Sequence, residues 1–355
     1  MSNEMFAVVL IIIMGFSLVC EYLWLYIVAE NQQEYFKRKK RIYNEISTLF
    51  TSALGSPLKD IQEKEIQSIL DYIDDSNEKY YVAINIYLDY LKKDELSDER
   101  KVILDEIYEK LDVKNVLSEK LSKASNNEKG YVIQLMAKLN ITDETDDLQQ
   151  YLSSRNKKLV YYTGMALSQL GDEDGTVEFI NICGQNYSLS SRVIMEVLNI
   201  YTGNKTELVK KIYDDVDDYL KAVIIKGVKN DKIEELKYIY TKGVKSKSAQ
   251  IKIACVKALS TFGDLEDEHT LITAMNDRNW IVRLSALEGL EKINTRESLE
   301  AIIKATCDDE WWVRRKAAEA LVRIDPKLEN VEKIIKGYDR YAAEAVKTAL
   351  SREVN

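Results

Sequence analysis

Asn276–Ile293 reads NDRNWIVRLSALEGLEKI, and Cys307–Ile324 reads CDDEWWVRRKAAEALVRI. Laid over one another at a spacing of 31 residues, the two stretches agree in chemistry: Asp277 with Asp308, Trp280 with Trp311, Val282 with Val313, Arg283 with Arg314, Ala286 with Ala317, Leu290 with Leu321 and Ile293 with Ile324. One period earlier, IKIACVKALSTF places Ile251, Lys252, Cys255, Leu259 and Phe262 on the same positions. Between these stretches Ile272, Ile303 and Ile334 keep step and mark a second helix in each unit. Two further steps back fall on Leu220, Ile224 and Val228, then on Leu189, Val193 and Val197, which puts five units in register. Self-similarity at a fixed period of this size is the signature of a repeat array.

Within a unit the apolar residues of the first helix recur at 0, +4, +8 and +11, one stripe of a 3.6-residue period. Small residues near the middle of the stripe allow close helix packing. A helix pair with a single buried face cannot stand alone, so successive pairs must stack into a superhelical rod with an extended concave surface. Composition agrees, with only 2 prolines and 13 glycines in 355 residues and no alternating β-branched runs. The fold class expected is all-α, an α-solenoid. Toward the amino terminus the pattern continues with slips of one to three residues, at Leu159, Thr163 and Leu167 and at Tyr131, Leu135 and Leu139. Before about residue 125, helices such as YYVAINIYLDYL and RKVILDEIYEKL show no register, and at the other end AAEAVKTALSREV reads as a shortened capping unit.

The Asp ahead of the helix (Asp277, Asp308), the Val-Arg pair (Val282-Arg283, Val313-Arg314), the alanines and the closing Leu resemble the bacterial HEAT-like repeats of the phycobilin-lyase type. The resemblance is specific over about 245–325 and extends more loosely to about 125. It implies an interaction scaffold and carries no lyase activity with it, since this repeat serves many functions.

At the amino terminus, Phe6–Val28 reads FAVVLIIIMGFSLVCEYLWLYIV, 23 residues interrupted by one charge, Glu21. That length and apolarity predict a transmembrane helix. A cleaved signal peptide needs a basic leading segment, and MSNEM has an acid and no base. Lys37, Arg38, Lys39, Lys40 and Arg41 follow the span, which predicts an outside amino terminus, a cytoplasmic body and contact with anionic lipid headgroups. Tyr22, Trp24 and Tyr26 crowd the same end, at headgroup level. Glu21 lies about 22 Å along the helix from Phe6 at 1.5 Å per residue, and reads either as an interfacial residue or as the mark of a partner helix. Beyond the collar, Ile42, Ile46 and Phe50 recur at helical spacing until Gly55-Ser56-Pro57. The expected organisation is a membrane anchor over 1–29, a basic juxtamembrane helix or linker over 30–57, a divergent helical region over 58–124 and the solenoid over 125–355.

The chemistry available is narrow. A net charge of −9 leaves no basic face for nucleic acid. Residues 1–41 hold five basic and four acidic side chains, a net of +1, so the remainder carries −10. The sequence has one histidine, His269, whose Glu266-x-x-His269 pair lacks the second half that a carboxylate-bridged metal site needs. The alternative is a solvent-facing residue at a repeat turn. Nucleotide-binding and hydrolase motifs are absent. Cys20, Cys183, Cys255 and Cys307 lie too far apart to form CxxC pairs and read as small buried apolar residues, which suits a reducing compartment. Acidic clusters such as Asp214-Asp215, Asp217-Asp218 and Asp308-Asp309-Glu310 suit helix amino termini. No cofactor or metal is expected.

Lys252, Arg283 and Arg314 read either as an inter-repeat ladder with Asp277 and Asp308 or as a basic stripe for a ligand. Trp280, Trp311 and Trp312 read either as packing residues or as a partner patch, tryptophan being enriched at binding hot spots. The function expected is a membrane-tethered, non-enzymatic scaffold for a protein partner. Its layout resembles membrane-anchored HEAT-repeat proteins of low-GC Gram-positive bacteria that accompany membrane glycosyltransferases for extracellular polysaccharide, which implies a membrane protein of that class as partner. A lipid-surface sensor acting through residues 30–52, and an enzyme of the lyase or DNA-glycosylase type, are the alternatives.

Overall fold

The computed structural model describes residues 3–55, 59–74, 76–93, 96–143, 145–185, 191–325 and 327–353, without the side chains of 3–13, 15, 59–61 and 185. The described residues are helical with no strand, and the chain divides into two compact units, Met1–Lys123 and Ala124–Asn355.

The first unit begins with one uninterrupted helix, α1 (Asn3–Gly55, 53 residues). No glycine or proline lies between Gly15 and Gly55, so the basic collar continues the helix and is not a linker. From Phe16 to Arg41 every side chain is exposed apart from half-buried Val28. Among the described residues no helix is long and apolar enough to cross a membrane. The expected span Phe6–Val28 extends into residues 6–13 and 15, whose side chains lie outside those described. From Ile42 onward α1 changes character: Ile42, Ile46, Phe50, Ala53 and Leu54 are buried against α2 (Lys59–Ile73) and α3 (Asn77–Leu91). Ser76 caps α3 by accepting the Lys79 amide. Then follow α4 (Asp98–Lys110) and α5 (Val113–Lys123), whose Ile103, Leu104, Ile107, Leu117 and Leu121 close the core. The Tyr80 hydroxyl donates to the Leu111 carbonyl at 3.0 Å, which satisfies a buried phenol.

The second unit is the repeat array. Its helices are α6 (Asn126–Lys138), α7 (Thr145–Gln149), α8 (Lys157–Leu170), α9 (Glu173–Gln185), α10 (Ser191–Ile200), α11 (Lys205–Tyr213), α12 (Asp218–Val228), α13 (Lys237–Gly243), α14 (Ala249–Phe262), α15 (Glu268–Ala274), α16 (Trp280–Ile293), α17 (Arg296–Ala305), α18 (Trp311–Ile324), α19 (Glu329–Ile335) and α20 (Arg340–Glu353). The even-numbered helices pack on one another in sequence as one layer. Toward the carboxyl end α13, α15, α17 and α19 form a second layer, each packed chiefly on the long helix that follows it.

Capping residues fix the register. Ser125, Asn156, Asp217, Ser248, Asn279 and Glu310 occupy the N-cap positions of α6, α8, α12, α14, α16 and α18, at steps of 31 except for 61 between Asn156 and Asp217. One unit is therefore a residue short. As a result the buried stripe of α10 is Ile194, Val197 and Leu198, one place beyond the expected Val193, while Leu189 lies outside the described residues. At α6 the expected slip is absent: Val132, Leu135 and Met136 stand 31 before Thr163, Ala166 and Leu167, all six buried, and Leu139 is the C-cap. Gly171 (φ 76°), Gly263 (φ 71°) and Asn294 (φ 51°) end α8, α14 and α16 in the left-handed conformation that closes a helix.

Cys183 and Cys255 are buried as expected, whereas Cys20 and Cys307 are exposed. Cys307 departs from the expectation because it falls in the turn ahead of α18, outside the buried stripe.

Candidate protein-binding surface

Asp277 and Asp308 each stand two residues ahead of a helix N-cap, and each carboxylate has two duties. Its Oδ1 accepts the cap residue's amide, Asn279 N or Glu310 N, at 2.8 Å in both units. The same carboxylate also receives the cation of the preceding unit: Lys252 pairs with Asp277, and Arg283 grips Asp308 with Nε to Oδ2 and Nη2 to Oδ1, both 2.7 Å. Burial alone raises these two carboxyls, yet the hydrogen bonds from Lys252 or Arg283 and from the cap amide outweigh it and hold both below the usual aspartate range. Of the two readings open for Lys252 and Arg283, the geometry supplies the inter-repeat ladder. Arg283 is only 15% exposed and spends its remaining Nη1 on the Asp277 and Arg278 carbonyls.

A second cross-repeat clamp carried no sequence signal. Lys237, 12% exposed, lies amid Asp264, Glu266 (2.5 Å), Glu234 (3.3 Å) and Asp267 (3.5 Å), with its ammonium 4.8 Å from the Phe262 ring. Burial works against the lysine's charge, but hydrogen bonds from its ammonium to Asp264 and Glu266 keep it protonated. Burial pushes Asp267 up. Glu234, Asp264 and Glu266 have the spacing of a cation site, and the Lys237 ammonium fills that role. Lys237→Met is expected to lower stability by about 2 kcal/mol, less than a fully buried pair because Glu266 and Glu234 are well exposed. Urea unfolding followed by circular dichroism reads the change, and an unchanged midpoint would refute the clamp. Nearby, His269 is exposed. Buried Glu268 accepts the Ser298 amide at 3.1 Å and the Thr295 hydroxyl, which ties α15 to the start of α17.

The aromatic residues divide. Trp280 is half-buried, whereas Trp311 and Trp312 are 51% and 53% exposed, their rings edge-on at 4.6 Å. Ile281 stands one period before Trp312, so the array does not require an indole there. Tyr341 (69% exposed), at the start of α20, lines the same cleft as Trp311, and exposed Tyr338 lies just ahead of that helix; neither was evident from the period. Arg315 lies over the Trp311 ring at 5.4 Å and Arg314 over Tyr341 at 5.5 Å. Trp311, Arg314, Arg315, Tyr341, Glu344 and Arg352 are among the residues lining a cleft of about 210 Å³. The structure thus brings Trp311, Trp312 and Arg314 together, while Arg283 is engaged in the ladder and Trp280 is half-buried.

In the first unit Lys37, Arg38, Lys39, Lys40 and Arg41 are all exposed on α1, and Arg38 pairs with Glu78 at 3.0 Å. Glu21 is exposed on the same helix.

Residues 268–351 match the family of HEAT repeats. Among solved structures the chain is similar to an engineered protein (12% identity, TM-score 0.37, covering 87% of this chain and 99% of that one). It is also similar to human deoxyhypusine hydroxylase in complex with glycerol (14%, 0.31, 81% and 98%), and to Kap95p in a structure on the switch loops of RanGDP (11%, 0.43, 87% and 50%). No curated protein matches. At these identities and TM-scores the structural likenesses carry nothing about function.

Proposed function

We propose that the protein is a non-enzymatic scaffold, tethered to the cytoplasmic face of a membrane by the amino-terminal part of α1, whose last repeats hold a protein partner. The observation that carries the partner role is the continuous exposed surface of Trp311, Trp312 and Tyr341 beside Arg314, on a repeat fold that the packing does not need it to complete. Large exposed aromatic area next to arginine is the composition of an interaction hot spot. The tether is supported by the predominantly apolar 23-residue stretch from Phe6, interrupted by one charge, and by the exposed Phe16, Leu18, Leu23, Trp24, Leu25 and Ile27, a surface that water alone does not favour. Lys37–Arg41, about two and a half to three and a half helical turns beyond Val28 along α1, would then meet anionic lipid, with the amino terminus outside and the repeats inside. A tether of this kind raises the local concentration of whatever the repeats hold. The partner class that fits is a membrane protein, and the resemblance in layout to accessory proteins of exopolysaccharide glycosyltransferases makes such an enzyme the first to try.

The test is affinity capture of the full chain from membranes solubilised in mild detergent. We expect one membrane protein to co-purify, to be lost with Trp312→Ala and to be kept with Trp280→Phe. Recovery of the protein in the soluble fraction after cell breakage would dispose of the tether, and an unchanged capture by Trp312→Ala would dispose of the surface.

A further inference from the structure

The inter-repeat ladder stops one rung short, and we propose that the missing rung is an aspartate or glutamate side chain of the protein partner, seated on Arg314. The inference rests on the scaffold reading above and names the chemistry by which its surface chooses.

Arg314 is held in the pose of Arg283. In both arginines Nη1 donates to the two backbone carbonyls that begin the turn ahead of the helix: Asp277 and Arg278 for Arg283, and Asp308 (2.6 Å) and Asp309 (2.8 Å) for Arg314. That leaves Nε and Nη2, the edge with which Arg283 grips Asp308. Among the described residues Arg314 has no carboxylate within ion-pair distance. The cause is a change of spacing. The cap of α18 is Glu310, and the corresponding residue ahead of α20 is Asp339, 29 residues on and not 31. A carboxylate two places before the cap would have to come from residue 337, which is Gly337. Asp339, at the cap itself and not two places before it, lies beyond ion-pair distance of Arg314, and its Oδ1 accepts the Tyr341 and Ala342 amides at 2.9 and 3.0 Å. The Ala342 amide first, then a hydrogen bond with Cys307, the Tyr341 amide and the nearby Arg314 charge hold its carboxyl below the usual range.

The surroundings select the ligand. The other arginines lining the cleft are paired, Arg315 and Arg352 with Glu319, and Glu344 is taken by Arg340. Among the described residues Arg314 is therefore the cleft-lining arginine without an ion pair, with the Asp308 and Asp339 carboxylates acting on it only from longer range. A planar fork with two parallel donors matches a carboxylate edge. About 210 Å³ between Trp311 and Tyr341 accommodates one acidic side chain, with its apolar neighbours on the exposed rings.

The test uses the full chain in detergent with Trp24→Phe and Trp280→Phe, so that fluorescence reports Trp311 and Trp312 alone. Acetyl-Leu-Asp-Leu-amide is expected to change that emission saturably, and acetyl-Leu-Asn-Leu-amide, of the same shape but uncharged, to bind at least about tenfold more weakly, as loss of one charge-assisted bidentate contact implies. Arg314→Gln should bring the Asp peptide down to the Asn peptide's affinity, while Arg296→Gln, an exposed arginine on α17, leaves the difference intact. A thermal melt establishes that each variant is folded at the assay temperature. Equal affinity for the two peptides, or a preference that survives Arg314→Gln, overturns the proposal. If the captured membrane protein is lost with Trp312→Ala and kept with Arg314→Gln, the scaffold reading stands and the acidic rung falls.

Discussion

Arg283→Met is expected to lower the unfolding free energy of the repeat unit by about 3 kcal/mol, and with it the melting temperature by roughly 6–12 °C. The side chains of Arg283 and Asp308 are 15% and 12% exposed, so removing the guanidinium leaves a largely buried carboxylate with a cap amide as its remaining hydrogen-bond partner. Arg314→Met is the internal comparison. It removes the same chemistry at the same place in the period, but no ion pair is lost, and the expected cost stays near about 1 kcal/mol for its backbone hydrogen bonds. Equal losses for the two variants would show that the ladder contributes nothing through its carboxylates. The same pair predicts an acid limb. Asp277 and Asp308 titrate lower in the folded chain than their unfolded value of about 3.9, so the folded state binds fewer protons there. The ladder's contribution is then complete above about pH 5 and is lost as the pH falls below about 4 through the folded values. Arg283→Met should flatten that limb, because Asp308 then loses the partner that depresses it.

These two arginines also show what could be read in the sequence. A 31-residue period finds the ladder because the rung positions of α14, α16 and α18 are filled by Lys252, Arg283 and Arg314, each followed at 25 residues by an acid: Asp277, Asp308 and Asp339. The third acid is of the right type in the wrong place. Two residues missing between the caps turn Asp339 into the N-cap of α20, and only geometry reveals that Arg314 is left over. Tyr338 and Tyr341 were illegible for the same reason, since they belong to the shortened unit and have no periodic counterpart. The Lys237 clamp is hidden differently: its acids come from two short segments, at Glu234 and at Asp264–Asp267, and nothing in their spacing marks convergence on one ammonium. At α6 the i, i+4 spacing in the sequence points to Tyr131, Leu135 and Leu139, whereas the buried stripe uses Val132, Leu135 and Met136. The exposure of Trp311 and Trp312, by contrast with Trp280, follows from position in the array and not from residue type.

Phe50→Ala is expected to cost the first unit about 3–5 kcal/mol, enough to unfold much of a marginal helical unit. Phe50 is fully buried on α1 and stacks on Tyr90, with ring centroids 6.2 Å apart and planes 10° from parallel. Ile46 and Ile42, the preceding residues of the same stripe, are buried one and two turns earlier. Tyr43, exposed between them, provides the control, and Tyr43→Ala should stay within about 0.5 kcal/mol. Hydrogen exchange on the full chain in detergent is the measurement. Amides of α2 and α3 should lose protection in Phe50→Ala while those of α14, α16 and α18 keep theirs, because the two units have separate cores. Unchanged protection in α2 and α3 would mean that α1 does not seat the unit. The stakes are functional, because α1 runs without a break from the exposed apolar segment through Lys37–Arg41 to Phe50. Under the tether proposal the folded unit is then joined to the membrane by a helix and not by a flexible chain, and Ile42, Ile46 and Phe50 are the residues that transmit the anchor's position to the fold.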